Sequence, residues 1–149
     1  MRPFAAIMAV DFIAPTTTMP ASAASRPALS RVLVLDDDPY LLEVMREMLA
    51  ACGEFEIVTE TEARQALLRL GEKMPDVLIC DLMMPEMDGI EFLTAAAAHG
   101  YHGKVILLSA LEDGVRDAAG DLARALGLQV AGAFRKPLAP EQLRQALGC

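Results

Sequence analysis

The chain has 149 residues, with 13 Lys and Arg against 21 Asp and Glu and a formal net charge of −8. That length allows one ordinary domain with a core that needs no staples, and a hydrophobic fraction of 54% excludes a disordered chain. The acidity argues against a nucleic-acid backbone as partner, which requires a basic face, and no run of about 18 uncharged apolar residues could span a membrane.

The charge is unevenly placed. Residues 1–30 carry Arg2, Arg26 and Asp11, so residues 31–149 hold 11 basic and 20 acidic groups, a net charge of −9. The function is expected in that acidic part. Phe4 to Val10 is apolar and Ala21-Ser22-Ala23 has the look of a signal-peptidase site, but Asp11 interrupts the stretch and Arg2 is its sole cation. Residues 1–30 are therefore read as a disordered leader, or as an overlong start with Met19 the true first residue. Cys52, Cys80 and Cys149 are unclustered, with no C-x-x-C, and give neither a disulfide framework nor a zinc site. Cys52 and Cys80 sit in apolar runs and read as small buried hydrophobes, in keeping with a reducing cytoplasm.

From Arg31 the chain alternates. Val32 to Leu35 is a continuous apolar run ending in three aspartates, the pattern of a strand buried on both faces. Leu41, Met45, Met48, Leu49 and Cys52 follow at helical spacing, with Asp38 as N-cap, Pro39 at the first helical position and Gly53 as the stop. Phe55 to Val58 predicts a second strand, and Thr61 to Leu70 a second helix with Ala63, Ala66, Leu67 and Leu70 on one face. Val77 to Cys80 is a third buried strand ended by Asp81. Asp88-Gly89 marks a turn before a helix over Ile90 to Ala98. Val105 to Leu108 is a fourth strand, ended by Ser109. Val115, Ala118, Ala119, Leu122, Ala125 and Leu126 make a fourth helix, Val130 to Phe134 a weaker fifth strand, and Pro140 to Leu147 a short last helix.

Five strands alternating with five helices argue an α/β fold with a parallel sheet. Ligands of such sheets bind beyond the carboxyl ends of the strands. The residues standing there are Asp36 and Asp37, Asp81, Ser109 and Lys136. Adjacent carboxylates repel, and a cation relieves the repulsion. Oxygen donors at a shallow site suit Mg²⁺. A carboxylate beside such an ion can attack phosphorus and become an aspartyl phosphate. Lys136 and Ser109 are the residue types that receive the added charge. Taken alone, Asp36-Asp37-Asp38 reads as a solvated, helix-capping loop; Asp81 at a neighbouring strand end turns that reading toward metal. His99 and His102, near a helix end, read as solvated.

The strings Val34-Leu-Asp-Asp-Asp-Pro39 and Asp81-Leu-Met-Met-Pro-Glu-Met-Asp-Gly89, with Leu107-Leu-Ser-Ala110 and Lys136-Pro137, together resemble the receiver domain of two-component response regulators. The resemblance spans residues 31 to about 147, in the family's order and nearly its spacing. It implies a three-layer α/β/α, flavodoxin-like fold with a five-stranded parallel sheet in the order 2-1-3-4-5. Asp81 then resembles the phosphoacceptor. Asp37 resembles the direct Mg²⁺ ligand (Mn²⁺ being an alternative ion), with Asp36 held through water and the backbone carbonyl of Met83 as a further ligand. Ser109 matches the switch hydroxyl and Lys136 the lysine that pairs with phosphoryl oxygens. Pro137 matches a proline after a cis peptide bond.

Some positions depart from the family. An aromatic residue often stands three before the lysine; here that position is Ala133, with Phe134 next to it. The stretch Leu111 to Leu128 is several residues longer than usual. Met83 and Leu111 are apolar where they flank the site, and are expected to hinder an in-line water. The chain stops at Cys149, so a single-domain regulator is expected. It would be phosphorylated by a histidine kinase or histidine phosphotransfer protein and act by protein contact, as a monomer or a phosphorylation-dependent dimer in the cytoplasm. A pseudo-receiver that works without phosphorylation and an aspartate-nucleophile phosphatase stay open. The latter needs a second acid where Met83 stands.

Overall fold

A computed structural model of the chain describes residues 29–149. The strands are β1 (Ser30–Leu35), β2 (Phe55–Glu60), β3 (Val77–Asp81), β4 (Lys104–Ser109) and β5 (Gln129–Arg135). The helices are α1 (Pro39–Cys52), α2 (Ala63–Glu72), α3 (Gly89–Ala98), α4 (Asp113–Ala125) and α5 (Pro140–Leu147). All four strand pairings are parallel, in the order β2-β1-β3-β4-β5. This is the order expected from the resemblance. The leader assigned to residues 1–30 falls outside the described residues apart from Leu29 and Ser30, and Ser30 already belongs to β1 and pairs with Phe55.

The layers follow from the two-residue period of the central strands. Leu33 and Leu35 point into one core with Ala66 of α2, Phe92 and Leu93 of α3 and Ala123 of α4. Val32 and Val34 point into the other, with Leu42, Met45 and Leu49 of α1 and Leu143 of α5. β1 and β3 are buried along most of their length, as their unbroken apolar runs require. β2 and β5, at the two edges, are half-buried. The inward stripe of α1 is Leu42, Met45 and Leu49; Leu41 and Met48 lie to one side and are only partly covered.

Helix starts obey local chemistry. The Asp38 carboxylate accepts from the Tyr40 N–H at 2.9 Å, with Pro39 opening α1. Asp88, expected as a turn residue, is the N-cap of α3: it accepts from Glu91 N–H while the Glu91 side chain takes the Asp88 N–H. Gly89 is required for space. A Cβ there would stand 2.6 Å from the Leu82 Cα, and the Gly89 N–H donates to the Leu82 carbonyl at 3.0 Å. The loop after β3 is thereby closed on itself.

The expectation of no disulfide is corrected. Cys52, at the end of α1, is bonded to Cys149, next to the end of α5, with Cα atoms 6.3 Å apart. The pair is 97 residues apart in sequence, and only the packing of α1 against α5 on one face of the sheet brings it together. Cys52 is thus a half-buried cross-link partner, whereas Cys80 is free and buried, as expected.

Two stability experiments follow. Gly89→Ala is expected to cost about 1–3 kcal/mol by overpacking against backbone, whereas Gly114→Ala, with open space around its Cβ, is expected to stabilise α4 by about 0.5–1 kcal/mol; chemical denaturation of the two variants checks both signs. Reducing the disulfide is expected to lower stability by about 4–5 kcal/mol, the loop-closure entropy of a span this long. Melting with and without reductant, with Cys149→Ser as control, measures it.

Candidate functional site

Four of the strands deliver their last residue or the one just beyond it to the same edge: Asp36 after β1, Asp81 of β3, Ser109 of β4 and Lys136 after β5. Asp36 is 4% and Asp81 3% exposed, and Ser109 is fully buried, whereas Asp37 is exposed. A buried carboxylate needs partners. Asp36 has one on each oxygen: the Asp38 N–H at 2.9 Å and the Lys136 ammonium at 2.7 Å. Asp81 is held likewise, by the Met83 N–H at 3.0 Å and by the same ammonium at 3.1 Å. Asp37 makes no hydrogen bond or ion pair among the described residues, and its carboxylate can swing toward the other two. One oxygen each from Asp36, Asp37 and Asp81 lies within 4.8 Å of the others.

The electrostatics follow from this packing. Burial pushes the Asp81 carboxyl up from its ordinary value, against the Met83 N–H and Lys136, which pull it down. For Lys136, burial would lower the ammonium, but the bonds to Asp36 and Asp81 outweigh it and the net direction is up. The lysine is therefore a fixed cation. Three carboxylates and one ammonium leave a local charge near −2. That charge, hard oxygen donors and an exposed, unpaired Asp37 suit a divalent ion such as Mg²⁺.

Lys136 is placed by β5. Its N–H donates to the Ser109 carbonyl at 2.9 Å, and the Lys136–Pro137 peptide bond is cis, as the resemblance implies. The Ser109 hydroxyl oxygen accepts from the Leu111 N–H at 2.9 Å, so its own proton can go to another acceptor. Met83, at 53% exposure, stands at the mouth of the site, and Leu111 is half-buried beside it. Phe134 does not substitute for an aromatic at Ala133. The two alternate across β5: Ala133 packs with the α2–α4 core and Phe134 with the α1–α5 core. The Phe134 ring lies over Gly132, where a Cβ would stand 2.5 Å from it.

Two features escaped the sequence. Arg116 in α4 is buried, donating to the Leu111 carbonyl at 2.8 Å and pairing with Asp113; it braces the loop that begins at Ser109. An apolar cavity of about 290 Å³ opens beside Lys136 and Asp36, lined by Leu41, Val44, Met48 and Leu138. The excess of apolar positions on α1 was its one signal, since Leu41 and Met48 exceed what one buried stripe needs.

Comparison with known proteins agrees with this geometry. The family model described as the response regulator receiver domain matches residues 32–148. A protein-glutamate methylesterase/protein-glutamine glutaminase of Nocardioides is 35% identical over 125 residues, 78% of this chain and 33% of that protein. The chain thus spans about a third of that relative's length. The chemotaxis protein CheY of Listeria monocytogenes is 35% identical over 80 residues, 53% of this chain and 67% of its own. Among solved structures, chemotaxis protein CheY4 of Vibrio cholerae superposes with a TM-score of 0.70 at 28% identity, covering 81% of this chain and 98% of that one. A response regulator of Colwellia psychrerythraea does so at 0.68 and 34% identity, covering 78% and 91%. Five parallel strands in this order, with the aspartates, serine and lysine at their ends, accompany a family match over nearly all the described residues: the chain belongs to the response regulator receiver domain family.

Proposed function

We propose that residues 31–149 form a phosphoacceptor module in which Asp81 takes a phosphoryl group from a phosphohistidine of a histidine kinase or phosphotransfer protein. The observation that carries this reading is the single ammonium of Lys136 shared by Asp36 and Asp81, with Asp37 left open beside them. Asp36, Asp37 and Asp81 would hold Mg²⁺ or Mn²⁺, with the Met83 carbonyl as a further ligand. When bound, the ion neutralises charge on the transferring group. An Asp81 oxygen attacks phosphorus, the phosphorus–nitrogen bond breaks, and the imidazole nitrogen leaves with the electron pair. Lys136 is within reach of both Asp81 and the incoming charge and pairs with a phosphoryl oxygen. The Ser109 hydroxyl supplies a donor once it turns from its present arrangement.

Phosphorylation adds about one and a half to two negative charges beside a loop held by the Ser109–Leu111 and Arg116–Leu111 bonds. Exchange of the first bond shifts the balance between two loop arrangements, which a partner protein reads. The module turns over no separate substrate; the Cys52–Cys149 bond removes the cysteine-based argument for a reducing cytoplasm. The Met83 side chain at the mouth slows attack by water on the phosphorylated form.

Incubation with Mg²⁺ and acetyl phosphate is expected to add one phosphoryl group per chain, lost in Asp81→Asn or with a chelator, and with a shorter half-life in Met83→Asn. Absence of an Asp81-dependent adduct, with acetyl phosphate and with beryllium fluoride alike, would leave an interaction module that needs no phosphate. Steady turnover of a phosphomonoester would indicate a phosphatase instead. Asp37→Asn removes a repulsion that has no partner, so its melting temperature without divalent ions is expected to rise by a few degrees (about 1 kcal/mol or less). Added Mg²⁺ should then stabilise the wild type and not the variant.

A further inference from the structure

Helices α3 and α4 lie side by side on one face of the sheet, and the groove between them is not filled by this chain's described residues. It measures about 260 Å³, with Leu82 and Ile90 at its floor and Val115, Ala118 and Leu122 along the α4 wall. Val115 is 51% and Leu122 42% exposed. The wall residues recur at helical spacing beside, not within, the buried stripe of Arg116, Ala119 and Ala123. α4 therefore has two apolar faces, one packed on the sheet and one facing solvent.

The solvent side of α4 beyond that second face is acidic. Asp121 lies about 60° around the helix from Ala118, with Asp117 one turn before it, and both are exposed. Residues 82–98 and 111–126 together carry seven acidic and two basic groups, more than half the net charge of residues 31–149. One of the two cations, Arg116, is buried; the other, Arg124, is paired with Asp121 at 3.5 Å. Glu86, Glu91, Glu112 and Asp117 make no ion pair among the described residues.

We propose that the α3–α4 groove is a docking surface for a helix of another protein, with an apolar seam flanked by Lys or Arg. Two packed helices offer a groove that accepts the side-chain ridge of a third. The stretch from Val115 to Leu122 is about 10 Å long, so two to three turns of partner helix fill it. Charge selects the occupant. A second copy would bring the same acidic rows against each other, whereas basic flanks meet Asp117, Asp121 and Glu91 with opposite sign. The groove is tied to the strand ends through Leu111, which borders it and donates its N–H to Ser109. The inference stands apart from the phosphoacceptor reading and needs no phosphorylation.

Three synthetic helical peptides test it by fluorescence anisotropy with the full chain: a leucine seam with lysine flanks, the same seam with glutamate flanks, and the lysine peptide with its seam scrambled. The first is expected to bind with a micromolar Kd, roughly tenfold more weakly at about 300 mM than at about 50 mM salt. Leu122→Asp, and Leu122→Gln should the former melt early, are expected to weaken it at least tenfold. The Asp117→Lys/Asp121→Lys double variant should prefer the glutamate-flanked peptide. Equal binding of the lysine- and glutamate-flanked peptides, equal binding of the scrambled one, or indifference to the Leu122 variants overturns the proposal. So does sedimentation showing a dimer that Leu122→Asp disperses, because a second copy would then own the face.

Discussion

One ammonium group organises the carboxyl edge of this sheet. Lys136 reaches from the end of β5 to Asp36 after β1 and Asp81 at the end of β3, at 2.7 and 3.1 Å. Two carboxylates this buried and this close repel each other, and the ammonium between them offsets that repulsion. The pairing fixes the relative positions of three strand ends. It also leaves Asp37 as the one carboxylate of the cluster without a partner among the described residues. Under the proposed function, the ammonium that holds the site together would also meet a phosphoryl oxygen, and the carboxylate left without a partner would meet the ion.

Around this centre the loops are clamped by short local bonds. Asp36 takes the Asp38 N–H, Asp81 the Met83 N–H and Ser109 the Leu111 N–H. Behind them, Gly89 allows α3 to close on Leu82 where a methyl group would not fit. In all three loop bonds a backbone N–H is the donor. The Ser109–Leu111 bond differs, because a hydroxyl can rotate and exchange it. The buried Arg116 holds the same loop from the helix side. A change at Ser109 therefore reaches α4 through few intermediates. No aromatic at Ala133 stands between, since the Phe134 ring belongs to the opposite face.

The two faces of the sheet are used differently. On the α1–α5 face a disulfide joins helix ends 97 residues apart in sequence, and an apolar cavity opens beside Lys136. On the α2–α4 face α3 and α4 are richer in alanine, and residues 82–98 and 111–126, which hold these helices and the loops before them, carry seven of the 20 acidic groups of residues 31–149. The net negative charge of residues 31–149 is thus divided between the strand-end cluster and this helical surface.

The sequence by itself determined the alternation of strands and helices, the strand-end identity of Asp36, Asp37, Asp81, Ser109 and Lys136, and the cap at Asp38. These are local facts: apolar runs of period one or two, and residues one step beyond them. The boundaries of α2 and α3 shifted by two residues and one, because caps such as Asp88 are settled by the turn's geometry. Tertiary structure alone decided which strand ends share an ammonium, that Cys52 meets Cys149, and that Arg116 is buried. Each of these depends on which side of the sheet a residue takes and on which helix lies beside it. Parallel crossovers bring together residues about a hundred positions apart, and no local pattern in the chain records that distance.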